Sequence, residues 1–324
     1  MSRPSALDFW ELPRFQSLLE SLSLLPPERT WEILHEIRDA ELEAFEADDL
    51  AGYEAHGRAA LNAAPLVAAE HDLDDVAEEF ARFMQKRHFD CVFLMVYAAR
   101  MLSDPDFAAT LCPARGFEHL EAVVSSGGGI VLPMHMGPYA GIVPLLAFYR
   151  PVTTILEAAA EDQFRLIESM YLPTLDIERI GMPDRRVLLK LLRALRRGRL
   201  VCMFPEFSWG YDQPQRRTDL LGATIEAPEG PQRLAQHTGL PLLPCRIVAR
   251  GAARFELSFS PPIVVGPGEE GLDVAVRETF AFVESAVLAD PDQWQGWDFF
   301  SELLPSDHER ASLVERFAAR AAAS

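Results

Sequence analysis

The chain has 324 residues, 49% hydrophobic and 24% charged, which excludes a disordered chain or a small disulfide-stapled module and allows one large core with an extension. A formal net charge of −19 leaves no general footprint for phosphate backbones, so no nucleic-acid partner is expected. The four cysteines, Cys91, Cys112, Cys202 and Cys245, lie far apart and without zinc-finger or Cys-x-x-Cys spacing; they read as reduced core thiols, and no metal site is expected.

In chain order, Met1-Ser-Arg-Pro opens without the apolar region of a signal peptide, which points to a cytoplasmic location. Apolar residues then recur at helical spacing over Phe15 to Leu24, Pro27 to Leu50, Tyr53 to Ala69 and Asp74 to Leu102. Residues 1–115 are therefore expected to form an α-helical N-terminal region. Acidic faces such as Glu41, Glu43, Glu46, Asp48 and Asp49 read as solvated surface.

The stretch Ala122 to Tyr149 contains no Asp, Glu, Lys or Arg and exceeds the roughly 20 residues a spanning helix needs. Three consecutive glycines, and prolines at 133, 138 and 144, break it. A strand, a loop and the start of a helix fit better, so no transmembrane segment is expected.

From Gly127 short β-rich runs alternate with helical ones. Strands are expected over residues 129–133, 152–156, 199–204, 240–248 and 255–261. Helices are expected at Tyr139 to Phe148, Gln163 to Tyr171, Arg185 to Arg197 and Gly230 to Thr238. Such alternation predicts an α/β core over residues 116–324: a mostly parallel twisted sheet flanked by helices, with a C-terminal helical tail. Ligands of open parallel sheets sit outside the carboxyl ends of the strands, where His135 and the Pro205-to-Gly210 turn fall.

His135 leads into Met136-Gly137-Pro138-Tyr139. Read alone it is either a structural histidine or a general base, since imidazole titrates near neutrality and can take a proton from a hydroxyl or amine. Residues 179–199 carry eight bases and a single acid, Asp184. That segment, with leucines at 188, 189, 191, 192 and 195, is the natural place for an anion. It reads either as an ordinary helix packed on the sheet or as a binding site for an acidic carrier protein, a coenzyme A phosphate or anionic lipid. No Gly-x-Ser-x-Gly, Walker loop or dinucleotide fingerprint occurs.

An ordered series of motifs resembles the lysophospholipid acyltransferase superfamily, in its lipid A lauroyl and myristoyl acyltransferase branch. There a strand leads into His-x-Gly-Asn-Trp-Glu; here stand His135-Met136-Gly137-Pro138-Tyr139-Ala140. A helix, Gly198 and the strand to Phe204 lead to Pro205-Glu206, near the place of the family's Asp-Gln turn. Leu220-Leu221-Gly222 and then Ala227-Pro228-Glu229-Gly230 through Leu234-Ala235 resemble its Phe-Phe-Gly and Thr-Pro-x-Gly segments. Thr238-Gly239-Leu240, Pro261-Pro262-Ile263 and Pro291-Asp292-Gln293-Trp294-Gln295-Gly296-Trp297 follow in family order.

The resemblance implies an acyltransferase fold with His135 as catalytic base and, because Ala140 stands where the family has its orienting acid, a replacement carboxylate. Glu206 is expected first in that role, and Glu157, also just beyond a strand end, second. A distance under about 3.2 Å between His135 and a carboxylate would mark a rebuilt dyad. Gly137, Tyr139, Glu157, Ser208, Trp209, Asp219 and Gly222 are expected to line the substrate site, along a loop that includes Asp212 and runs to Arg216, Arg217 and Thr218. The implied donor is acyl-CoA or acyl carrier protein, with no tightly bound cofactor, and the acceptor is a polar small-molecule amine or hydroxyl. Two alternatives stay open: a family member turned to another base-assisted step, such as a cyclisation, and a non-catalytic subunit whose acidic helices dock a partner chain.

Overall fold

A computed structural model describes residues 13–44, 47–157, 175–207 and 214–305. Among the described residues six helices come first: α1 (Pro13–Leu22), α2 (Pro27–Ala44), α3 (Ala47–Leu61), α4 (Pro65–Glu70), α5 (Leu73–Ser103) and α6 (Pro105–Leu111). The helix expected from Tyr53 to Ala69 is in fact the end of α3 and a separate α4. Pro65 explains the break: it lacks the N–H an interior helical position donates, yet suits the first turn it occupies in α4. The long α5 starts where the Asp72 side chain accepts from the backbone N–H groups of Asp74 and Asp75.

The remaining chain builds β1 (Ala114–Arg115), α7 (Phe117–Ser125), β2 (Ile130–Pro133), a 3₁₀ turn (Tyr139–Gly141), α8 (Ile142–Ala147), β3 (Val152–Glu157) and β4 (Ile177–Met182). After these come α9 (Val187–Arg196), β5 (Leu200–Cys202), β6 (Gln215–Leu220), β7 (Ala223–Pro228), α10 (Gly230–Thr238), β8 (Leu242–Ala249), β9 (Phe255–Phe259), α11 (Gly268–Ala289) and α12 (Phe300–Leu303). The helix expected at Gln163 to Tyr171 lies outside the described residues. Strand β4 and the hairpin β6–β7 had no counterpart in the sequence-based expectations.

Seven strands form one sheet in the order β1-β9-β8-β2-β5-β3-β4. The strands β8, β2, β5, β3 and β4 are mutually parallel, while β9 runs antiparallel to β8 and carries β1 parallel to itself. Period-two alternation sorts the strand side chains between two layers. Val131, Leu200, Cys202, Leu243 and Cys245 pack with α5, α7 and α8, whereas Ile130, Leu132, Val201 and Leu242 pack with α9 and α10. Both faces of the parallel part are thus covered, which is why β2, β5 and β8 read as unbroken apolar runs.

A further apolar cluster gathers the first half of α5, α11, the tip of the β6–β7 hairpin, Met134, Met136, Trp294 and Trp297 beside the carboxyl ends of the strands. The hairpin is held to α10 and α11 by Arg216, which binds Glu229 at 2.7 Å and also Glu269 and Asp273.

Candidate functional site

Strands β2 and β5 pair in parallel with Val131 opposite Cys202. His135 and Glu206 each stand four residues beyond that pair, so the register brings both to one level at the carboxyl edge of the sheet. Each backbone N–H of the His135 loop from Met134 to Gly137 has a partner, as a buried loop requires. Met134 N–H donates to Cys245 O at 3.2 Å, Met136 N–H to Met134 O at 2.8 Å, and Gly137 N–H to Gln293 O at 2.9 Å, while His135 O accepts from Gln295 N–H at 2.8 Å. The remaining donor, His135 N–H, goes to Glu206 Oε1 at 2.6 Å.

Glu206 is therefore first an acceptor for loop backbone. Its side chain is 0% exposed, against 15% for His135, and the same Oε1 lies 3.4 Å from His135 Nδ1. That contact is an ion-pair distance without hydrogen-bond geometry, since neither Nδ1 nor Glu206 Oε2 has a hydrogen-bond partner among the described residues. The separation falls just outside the 3.2 Å limit expected of a rebuilt dyad. A shared oxygen explains the shortfall, because Oε1 is drawn onto the loop N–H.

Packing holds the imidazole on several sides. The Phe204 ring lies tilted over it at 4.1 Å between centroids, Tyr139 meets it edge-on at 4.9 Å, and Phe299 and Phe207 stand at 5.6 and 5.7 Å. Burial raises the Tyr139 phenol above its ordinary pKa, so it stays neutral at physiological pH. Ala140 packs into the apolar layer of α5 and α8.

Gly137 has a structural necessity. Its φ of +56° is left-handed, and a Cβ there would stand 2.3 Å from Ile247 O of β8. Residues 291–298 strap the loop from outside: Met136 pairs with Trp294 in an antiparallel bridge, and the Gln293 side chain bonds both Ala249 N–H (2.8 Å) and Ala249 O (3.1 Å).

The other expected site residues lie apart. Glu157 ends β3 in an exposed position, two strands from β2 and so roughly 10 Å away laterally. Asp219 is exposed on β6 and accepts from Thr224 Oγ1 at 3.0 Å. Gly222 sits in the hairpin turn with φ +82°, against Pro65 and Leu66 of α4, so packing accounts for it. Ser208, Trp209 and Asp212 lie outside the described residues. Sequence reasoning missed Phe204, Phe207 and Phe299, which surround the imidazole, and the role of Gln293 and Gln295. The Pro291-to-Trp297 motif was the signal that could have found the strap.

Among the described residues no group of His, Cys, Asp and Glu could hold a metal ion, and no helix is long and apolar enough to cross a membrane. Residues 76–297, more than half of the chain, match the family model for bacterial lipid A biosynthesis acyltransferase. A search of curated proteins gives no match.

Proposed function

This chain belongs to the bacterial lipid A biosynthesis acyltransferase family, and from that premise we propose that it transfers an acyl group from a coenzyme A or carrier-protein thioester to the amine or hydroxyl of a polar acceptor, with His135 as general base. The observation that carries the reading is the buried Glu206 carboxylate, 2.6 Å from the backbone N–H of His135 and 3.4 Å from its Nδ1. With Nδ1 turned to Glu206, Nε2 is the nitrogen left for the acceptor.

The acceptor's proton moves to Nε2 as its oxygen or nitrogen bonds the thioester carbonyl carbon. Collapse of the tetrahedral adduct breaks the C–S bond, and the departing thiolate takes the proton back from the imidazolium. The Glu206 charge stabilises that imidazolium across 3.4 Å in a site screened from water by four aromatic rings. In serine proteases the orienting carboxylate is worth about 10⁴ in rate; a longer contact without hydrogen-bond geometry supports a smaller share here.

The test is single-turnover thiol release by the purified chain, wild type against His135→Ala, over a panel of acyl thioesters and amine or hydroxyl acceptors. Loss of the thiol burst in the variant, with the fold intact by circular dichroism, is the expected result. Release that survives the substitution removes His135 from the mechanism. Ala140, in place of the family acid, favours one other reading: a base-assisted step such as a cyclisation, with no thioester. Acylated product and free thiol in equal amounts, measured by mass spectrometry, decide against it.

A further inference from the structure

The strap over the His135 loop rests on β8 through the Gln293 side chain. Strand β2 pairs with β8 as far as Pro133, opposite Cys245. Past that point alternate residues of β8 still turn backbone groups to the side that β2 has left, as the period of two requires. Cys245 O takes the Met134 N–H at 3.2 Å, Ile247 O lies against Gly137, and the N–H and O of Ala249 go to the Gln293 amide at 2.8 and 3.1 Å. That amide fills the place of a strand neighbour and satisfies two backbone groups of the sheet.

The same residue holds the loop. Gln293 O accepts the Gly137 N–H at 2.9 Å, and two residues on, Gln295 N–H donates to His135 O at 2.8 Å. His135 is thus gripped by both of its backbone groups, the N–H by Glu206 at 2.6 Å and the O by the strap. With the N–H pinned at Glu206 Oε1, the hold on the O decides how the residue tilts about that bond. The tilt in turn sets how far Nδ1 stands from the same oxygen, here 3.4 Å.

The ends of the strap have their own anchors. Asp290 is bound by Arg250 at 2.5 and 3.2 Å, and the Asp298 carbonyl accepts from His56 Nε2 at 2.9 Å. Gln293 fastens the middle, at the level of the loop.

We propose that Gln293 is a positioning residue: by clamping the strap to Ala249 it sets the place of the His135 imidazole relative to Glu206, and with it the rate of the chemical step. The inference rests on the reading of His135 as general base. A shift of about 1 Å in a reacting group costs about 10²-fold in rate even when its cause lies outside the chemistry. The loss belongs to kcat, because the Gln293 amide is spent on Ala249 and not turned to the crevice.

The test compares two variants of the full chain with wild type. Gln293→Met keeps the reach of the side chain and removes both bonds to Ala249. Arg199→Ala weakens the fold at the amino ends of the strands, away from the strap. Thiol release is measured over a range of thioester concentrations, and the His135 ring is followed by NMR in protein labelled with 15N-histidine, His135→Gln assigning its signals. Q293M should lower kcat by about 10–100-fold with KM within about twofold, and should displace the His135 ring signals. R199A should lower the melting temperature and leave kcat and the ring signals as in wild type. Wild-type kcat in Q293M, ring signals that do not move, or an equal loss of rate in R199A overturns the proposal. The NMR needs no turnover, so if wild type releases no thiol the acyl-transfer reading falls and the ring signals alone decide. Should Q293M fail to fold, Gln293→Glu takes its place, since it keeps the bond from Ala249 N–H and sets a carboxylate oxygen against Ala249 O, with the same outcomes.

Discussion

Glu206 carries two duties that a single substitution can separate. Glu206→Gln keeps an oxygen for the His135 N–H but removes the charge facing Nδ1. The fold should then survive with a melting temperature near wild type, while thiol-release rate falls by about 10²–10³, less than the roughly 10⁴ of the serine protease carboxylate. Full activity in this variant would reduce Glu206 to a backbone acceptor. Glu206→Ala should do more harm to stability, because the buried loop N–H loses its partner, at a cost of about 1–3 kcal/mol. Gly137 is the other residue whose chemistry is dictated locally. Gly137→Ala places a methyl against Ile247 O in a left-handed backbone, which should cost about 1–3 kcal/mol in strain alone. A melting temperature equal to wild type would contradict that account.

At the scale of elements, the parallel strands at one side of the sheet are tied by a buried arginine. Arg199, only 7% exposed, precedes β5; it donates to Thr153 Oγ1 at 2.9 Å and to Val152 O at 2.5 Å on β3, and pairs with Asp176 before β4 at 2.8 Å. Arg199→Ala removes a buried donor from the Val152 carbonyl, while the Thr153 hydroxyl keeps Glu178 and Asp176 is largely exposed, so a loss of about 1–3 kcal/mol is expected. Urea unfolding monitored by circular dichroism should show it as a lowered midpoint with unchanged slope. The sequence-based view of this segment placed its basic residues on an outward face. That holds for Arg185, Arg193 and Arg196, but Arg199 turns inward, because the strand it precedes runs between two others.

Across the whole molecule the helical region and the sheet share apolar clusters. The first half of α5 packs with α11 and the Trp294–Trp297 strap, and its second half with β2, β5 and β8. All four cysteines lie in that shared interior. Burial pushes the thiols of Cys91, Cys112 and Cys202 from 9.0 up to about 12, and moves Cys245 in the same direction. The native chain should therefore resist iodoacetamide at about pH 8, with the four thiols reacting only on unfolding.

The linked effect on stability has a definite sign. Below pH 9 both states hold these protons; between 9 and about 12 the unfolded chain releases protons that the native chain keeps. Stability should fall through that window, by about 1.4 kcal/mol per pH unit for each thiol at the steepest. A flat unfolding free energy over the same range would show that the thiols are not held neutral by the fold.

Much of this was legible in the chain itself. Uninterrupted apolar runs marked β2, β5 and β8, helical spacing marked α5 and α10, and the order of partial motifs around His135, Gly222 and Trp297 marked the family. These are local or ordered signals, set by side-chain period and by neighbours in sequence. What only the tertiary structure decided is which distant groups meet. Glu206 and Glu157 both follow strand ends, but the strand order puts β5 beside β2 and leaves β3 two places away. The aromatic walls of the site come from three separate segments, and the strap that completes the His135 loop arrives from near residue 293. Sheet order and loop closure depend on the burial of the whole core, so no window of sequence around His135 contained them.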